Sequence, residues 1–479
     1  MNGTVELKFV DKINAWLGSH ASLRLLQMSA FIRSICQGIA VVVMSLYLKE
    51  LGWNAGAVGG LLVASGVFRT VVTSFAGELV ARLGSKRYLL LFEALTAAAA
   101  LLITFTTNTI ALCAAVIVAG FGMGHTGSGG PISPIERRWL GAFARKNADH
   151  IYGMNALLGY WGLGIGSLLA GTTPILHQWL PGVNAYRPLF AVIALFSLCA
   201  MAVLLKVTGG ERKKPQMEET KGAAGPVEAV AVQAAPAQRW SLRSFIGWGI
   251  VVAIAIGLWL SLRQHMPPLW SALLPVFLFC FLILGTLIRA SFGPRDQLLT
   301  LVNLFNSIAV TLASTMSSYW LAARFGASTS MIGLVISASY LMTGLTSLAV
   351  IRASKRYGSV KPVVGLQLAG IACVLVMPWV PWFLGAAVLY ICCTMFNLGT
   401  RGSRSVVMNI QRSAGSRNWQ SRLTSFMLRL GVVLWPGAFG HMIEGGAFVL
   451  PFYIAATVQT VSTVWFGQAQ KLQQVEIQR

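Results

Sequence analysis

The chain has 479 residues, of which 56% are hydrophobic and 11% charged, with a mean hydropathy of +0.68 and a formal net charge of +23. A soluble protein would carry about a quarter charged residues, so composition excludes a soluble enzyme or nucleic-acid-binding domain. Apolar runs of about 20 residues, enough to cross a hydrocarbon core of about 30 Å, recur without the alternating pattern of a membrane barrel, and the reading is an all-α polytopic membrane protein.

In chain order, residues 1–24 lack the basic region, apolar core and cleavage site of a secretory signal. Phe9, Ile13, Trp16 and Leu17 share one helical face with Lys8 and Lys12 off it, the pattern of a short interfacial helix; a polar tail reads equally well. Fourteen spans follow, at 25–48, 56–80, 88–106, 109–134, 152–175, 187–206, 245–262, 268–288, 298–322, 329–351, 362–379, 383–407, 420–442 and 447–467. Residues 208–244 form a polar, Ala/Pro-rich linker of flexible type, and 468–479 a tail. Lys and Arg gather in alternate loops: Arg82, Lys86 and Arg87, then Arg137, Arg138, Arg145 and Lys146, then 207–244, then Arg352, Lys355, Arg356 and Lys361, then Arg412, Arg417 and Arg422. That asymmetry predicts a multi-pass plasma-membrane protein with both termini cytoplasmic. It also accounts for most of the net charge through loop topology and anionic lipid, with no nucleic-acid partner. The seven cysteines fall inside spans without metal-ligand spacing and read as packing residues; neither metal nor cofactor is expected.

The chain also repeats itself at an offset of 274. Gly52 meets Gly326, Gly59 meets Gly333, Arg82-Leu83-Gly84-Ser85 meets Arg356-Tyr357-Gly358-Ser359, Glu93 meets Gln367, Arg138 meets Arg412, Trp161 meets Trp435, Gly166 meets Gly440 and Gly171 meets Gly445. Two parallel six-helix units result, 25–207 and 298–467, with linker and two extra spans (245–289) between them.

Two such halves resemble the major facilitator superfamily. The stretch Gly77 to Arg87 is similar to the family's loop motif between its second and third helices: Gly77, Arg82, Gly84, Lys86 and Arg87 match, and Arg356 and Gly358 mark the second copy. Ala81 stands where the family has Asp, so the conformational latch that Asp serves is in question. Gly162 to Gly171 resembles a Gly-rich exporter motif in the fifth helix without its proline, while the second copy keeps Pro436. The resemblance implies alternating access through a pathway lined by the first, fourth, seventh and tenth helices of the two repeats. On those spans polar residues form stripes: Ser29, Arg33 and Gln37; Asn303, Ser307 and Thr311; Asn397, Arg401 and Arg404; His125 and Ser128.

Intramembrane ionisable residues mark function by default. Arg33, Arg69, Arg401, Arg404 and Arg429 lie in or near spans against Glu78, Glu93 and Glu136, so a cationic interior is expected. Guanidinium forks pair carboxylate or phosphate. The expected substrate-binding set is Arg33, Gln37, Arg69, His125, Asn303, Ser307, Asn397, Arg401 and Arg404, with Trp161 and Trp435 as flanking walls; Glu93, His125 and Glu136 are the proton-coupling set. Bland readings stand beside these: Arg404 snorkelling to the interface, Arg69 pairing with Glu93 or a carbonyl, His125 and the tryptophans packing, His441 and Glu444 solvated at the outer mouth. No phosphate-cradling loop or nucleophile–base pair supports an enzyme. The expected function is secondary transport of a small anionic or carboxylate-rich zwitterionic metabolite by a monomer in contact with membrane lipids, as a proton-coupled exporter of, for example, an opine-type metallophore or carboxylate siderophore. Flipping of an anionic lipid-linked headgroup and drug–proton antiport are the alternatives, the latter opposed by the lack of a deep acid on the first or fourth span.

Overall fold

The computed structural model describes residues 20–123, 130–133, 135–136, 139–140, 148–207, 294–358, 360–404 and 419–478. The described residues form helices α1 (Ala21–Glu50), α2 (Ala55–Ser74), α3 (Ala76–Leu83), α4 (Ser85–Phe105), α5 (Thr109–Ala119), α6 (Ala148–Ala170), α7 (Thr173–His177) and α8 (Arg187–Leu205). The second half holds α9 (Pro294–Ser314), α10 (Ser317–Phe325), α11 (Thr329–Tyr357), α12 (Lys361–Val376), α13 (Phe383–Gly399), α14 (Trp419–Val433), α15 (Trp435–Glu444) and α16 (Leu450–Gln478). Eight helices among them are long and apolar enough to cross a membrane, and Thr109–Ala119 and Thr300–Ser314 are shorter apolar ones. Residues 1–19, the linker at 208–244, the two extra spans, His125 and Ser128 lie outside the described residues.

The repeat reappears in local structure. Asn54 caps α2 by accepting the Ala57 N–H at 2.8 Å, and Ser328, 274 positions on, caps α11 by accepting the Met331 N–H at 3.4 Å; each satisfies a donor the first helical turn leaves unpaired. Gly84 (φ 82°, ψ 155°) and Gly358 (φ 83°, ψ 156°) adopt one backbone conformation at equivalent turns. That region is open essentially to glycine alone, so the loop motif is a backbone requirement in both halves. Lys86 closes the first turn by donating its Nζ to the Leu205 and Val207 carbonyls at 2.7 and 3.0 Å.

Four expected spans are interrupted. The span at 56–80 breaks at Phe75 between α2 and α3, that at 109–134 at Gly120 after α5, that at 298–322 at Thr315–Met316 and that at 420–442 at Leu434, just before Pro436. The last span runs on to Gln478, beyond the expected end at 467. Helices then approach closely through small residues. A Cβ on Gly38 or Gly166 would strike the α6 or α1 backbone, one on Gly333 would strike α6, and one on Gly440 would strike α2. The Gly-rich fifth span therefore serves close packing, α6 on α1 within its half and on α11 across the halves.

The chain crosses back and forth, so the ends of α1 and α2 near Glu50–Ala55 share one face with the α10–α11 and α15–α16 junctions. The halves are hydrogen-bonded there. Ser45 and Ser318 hydroxyls lie 2.7 Å apart, Asn54 Nδ2 donates to Glu444 Oε1 at 2.7 Å, and Ser330 Oγ donates to the Gly171 carbonyl at 2.6 Å. This far face, opposite the basic loops, is closed.

Candidate functional site

Arg33 sits on α1 four residues above Ser29 and four below Gln37, so all three project from one side. Its guanidinium donates to Ser29 Oγ at 3.3 Å, to Glu93 Oε1 of α4 at 3.1 Å and to Glu136 Oε1 at 2.7 Å. Arg33 is 6% exposed, Glu93 2% and Glu136 fully buried. Charges this deep need partners, and removing one strands the others.

Arg69 enters from α2, also buried. Its guanidinium leans against Gly120 and Gly130, where an added Cβ would overlap it. Both glycines have positive φ, 71° and 68°. The break after α5 thus makes the room that Arg69 occupies. Arg33, Gln37, Arg69 and Glu93 line one narrow cavity of about 40 Å³ with Cys36, Thr96 and Ser197. Two arginines and one carboxylate line it, and Glu136, outside that lining, lies buried beside Arg33 and pairs with it.

The second half gathers polar groups around Arg404. Its guanidinium donates to Gln367 Oε1 of α12 at 2.6 Å, to Ser462 Oγ of α16 at 2.7 Å and to the Val302 carbonyl of α9 at 3.2 Å, and stacks 4.6 Å from the Phe466 ring centroid. Gln367 Nε2 donates to Asn306 Oδ1 at 3.1 Å. Asn397 Oδ1 accepts from Gln459 Nε2 at 2.6 Å. Arg404 and Asn397 are thus interior residues of this half; Arg404 neither snorkels to an interface nor lines the charged cavity. Arg401, on the same helical continuation, is exposed.

Of the expected set, Arg33, Gln37, Arg69, Glu93 and Glu136 come together. Asn303 is exposed, Ser307 half-buried, Trp161 exposed at the α6–α11 contact beside Gly344, and Trp435 packs on α9 near Leu304 and Ile308; none of these borders the charged cavity. Arg82, Arg87 and Arg356 are exposed and Gly77 borders open space, as turn residues do. Glu93 pairs with Arg33. His441 Nδ1 lies 3.6 Å from Glu444 Oε2 at the far face. Asn306, Gln459, Ser462 and Thr463 were missed by the sequence reading; the polar spacing of 459, 462 and 463 on one helical face was the available signal.

A second, smaller cavity of about 10 Å³ lies between the halves toward the far face, bounded by α1, α2, α9–α10, α11 and α13.

A family model described as Major Facilitator Superfamily matches residues 26–313. Among solved structures, one described as giving insight into substrate recognition in proton dependent oligopeptide transporters aligns with a TM-score of 0.63 and 13% identity over 95% of this chain and 100% of that one. A point mutant of the nucleoside transporter NupG aligns with a TM-score of 0.58 and 11% identity over 93% and 98%. At such identities the likeness is one of fold. No curated protein matches.

Proposed function

The chain belongs to the major facilitator superfamily, a family of secondary transporters, and we propose that its cargo is a small carboxylate-bearing zwitterion or anion moved by alternating access across the plasma membrane. The observation that carries this reading is the buried set of Arg33, Arg69 and Glu93 around one cavity, with Glu136 paired to Arg33. Guanidinium groups offer forked donors to carboxylates, and the glutamates offer acceptors to an ammonium, so a zwitterion such as an opine-type metallophore meets both. In this reading the protein acts as a monomer, both termini are cytoplasmic because the basic loops mark that side, and the Gly-rich fifth span motivates export.

Coupling to protons is proposed through Glu93 and Glu136. While ionised they hold Arg33; once protonated they release it to a cargo carboxylate. Binding of anion and proton is then mutually favourable, a linkage that is reciprocal by necessity. This favours a second reading, proton–anion co-transport in one direction, over antiport. Export under that linkage draws on the cargo's own gradient.

The test is untargeted mass spectrometry of medium and cell extract, with and without the gene, in metal-replete and metal-starved growth. The expected result is an acidic, chelating metabolite lost from the medium and retained in cells, with Arg69→Gln reproducing the deletion at unchanged protein level. Normal export by Arg69→Gln overturns the charged-cavity reading. No small-molecule difference moves the weight to a lipid-linked headgroup, read next in the outer leaflet.

A further inference from the structure

The halves meet along two seams that the repeat makes equivalent. In one the end of α6 packs on the start of α11, and in the other the end of α15 packs on the start of α2. Both are close: an added Cβ on Gly333 would strike the Ser167 carbonyl, and one on the equivalent Gly59 the Pro436 carbonyl. Their chemistry differs. The α6–α11 seam carries Ser167 and Ala170, both fully buried, and closes through the Ser330 hydroxyl, which donates to the Gly171 carbonyl at 2.6 Å. At the matching positions, 274 on, the α2–α15 seam carries His441 and Glu444.

His441 and Glu444 reach from α15 onto the first turn of α2. Asn54 serves both sides of the contact: its Oδ1 caps α2 on the Ala57 N–H at 2.8 Å, while its Nδ2 donates to Glu444 Oε1 at 2.7 Å. Glu444 Oε2 lies 3.6 Å from His441 Nδ1. An added Cβ on Gly56 would strike that same oxygen and the His441 ring, so both side chains lie against the α2 backbone. Their side chains are 31% and 38% exposed, which opens the pair to water at the far face. Tyr319 of α10 stands within electrostatic reach of Glu444, and Lys49 at the end of α1 lies 5.6 Å from the Tyr319 ring centroid. From α2 the pair meets Asn54 and backbone.

We propose that the α2–α15 seam is a pH-sensitive latch on the far mouth of the pathway, released when His441 takes up a proton. The inference goes beyond the cargo reading and does not depend on it. With His441 neutral, ionised Glu444 brings a net negative charge to the N-terminus of α2, the end of the helix dipole that attracts an anion. With His441 protonated, the pair is neutral as a whole, and an imidazolium lies against that same positive helix end. The attraction across this seam is then lost, while the α6–α11 seam, with Ser167 and Ala170 at the matching positions, is unchanged and serves as the hinge side. Histidine changes charge between about pH 5 and 8, a range in which neither lysine nor tyrosine ordinarily does. The latch therefore answers the acidity of the medium that the far face meets.

The test is a distance measurement across the far mouth by pulsed electron resonance on the full chain in nanodiscs. Nitroxides coupled to azide-bearing side chains at positions 107 and 381, the equivalent exposed far-face loops of the two halves, report the opening without using cysteine. Samples are compared at about pH 7.5 and about pH 5.5, the two ends of the histidine range. In the parent, the longer-distance population is expected to rise several-fold on acidification. His441→Gln should keep the low population at both pH values. Glu444→Gln, which keeps an acceptor for Asn54 and removes the charge, should show the high population at both. No rise in the parent overturns the latch. A rise that survives His441→Gln overturns it as well, and its loss on Glu93→Gln would then assign the pH response to the charged cavity.

Discussion

In the first half a buried arginine, Arg33, is clasped by two carboxylates at 3.1 and 2.7 Å; in the second, Arg404 is held by an amide oxygen, a hydroxyl and a carbonyl, with no carboxylate among these partners. The difference turns on one pair of repeat positions, Glu93 and Gln367. A carboxylate can take up a proton and loosen its grip on a guanidinium, whereas an amide of the same shape cannot. The position of Arg404 corresponds to Gly130, where the first half leaves backbone and lets the Arg69 guanidinium in from α2. One half therefore carries a switchable ion cluster beside a cavity, and the other a fixed polar brace.

The largest effect separates these roles through stability. Arg33→Ala strands two buried carboxylates and should cost about 3–5 kcal/mol, read as lost thermal stability in detergent, with Glu93→Gln and Glu136→Gln added to Arg33→Gln restoring most of it. Arg404→Met replaces the brace with an apolar chain of similar length and should cost about 1–3 kcal/mol for the acceptors left unpaired. Equal losses in the two halves would break the contrast.

Next comes the exchange of the repeat partners. Glu93→Gln gives the first half the second half's chemistry; the protein should fold, and its transport should lose its response to an imposed pH gradient by about tenfold, the scale of about 1.4 kcal/mol of coupling. Gln367→Glu should leave that response as it was. A pH response that survives Glu93→Gln in reconstituted vesicles would move the coupling elsewhere.

A smaller effect sharpens the symmetry itself. Gly84→Ala and Gly358→Ala face the same backbone conformation, so each should cost about 1–3 kcal/mol, and the two losses should agree. Unequal losses would mean that the turns serve the halves differently.

The repeat was legible because 274 is a constant offset between residues whose chemistry is local: caps, turn glycines and close-packing glycines. The shared face of Arg33 and Gln37 followed from their spacing on one helix, and Arg69 stood out as a charge inside an apolar span. What the sequence hid were facts of three-dimensional pairing. Glu136 sits near the end of an expected span, yet the chain break after Gly120 brings it to Arg33, and no periodicity announces that break. Met316 reads as an apolar residue in an apolar span, and its left-handed backbone has no signature in residue type. Arg404 and Arg401 share a spacing that puts both on one face, but a buried network of neutral acceptors from three other elements claims one and leaves the other exposed.

Arg401 gives the smallest and most discriminating effect. It is exposed while Arg404, three residues on, is 2% exposed, so Arg401→Gln should change stability by no more than about 0.5 kcal/mol. Its proposed contribution is to attract an anionic cargo toward the near mouth of the pathway, an interaction between solvated charges and therefore screened by salt. Transport by Arg401→Gln should fall a few-fold at low ionic strength and match the parent at high ionic strength, because a solvated charge acts over distances comparable to the screening length. A deficit that persists at high salt would place Arg401 in direct contact with cargo, in a desolvated setting where salt has little reach. No deficit at either ionic strength would leave the second half with only its brace, and all charge recognition with Arg33 and Arg69.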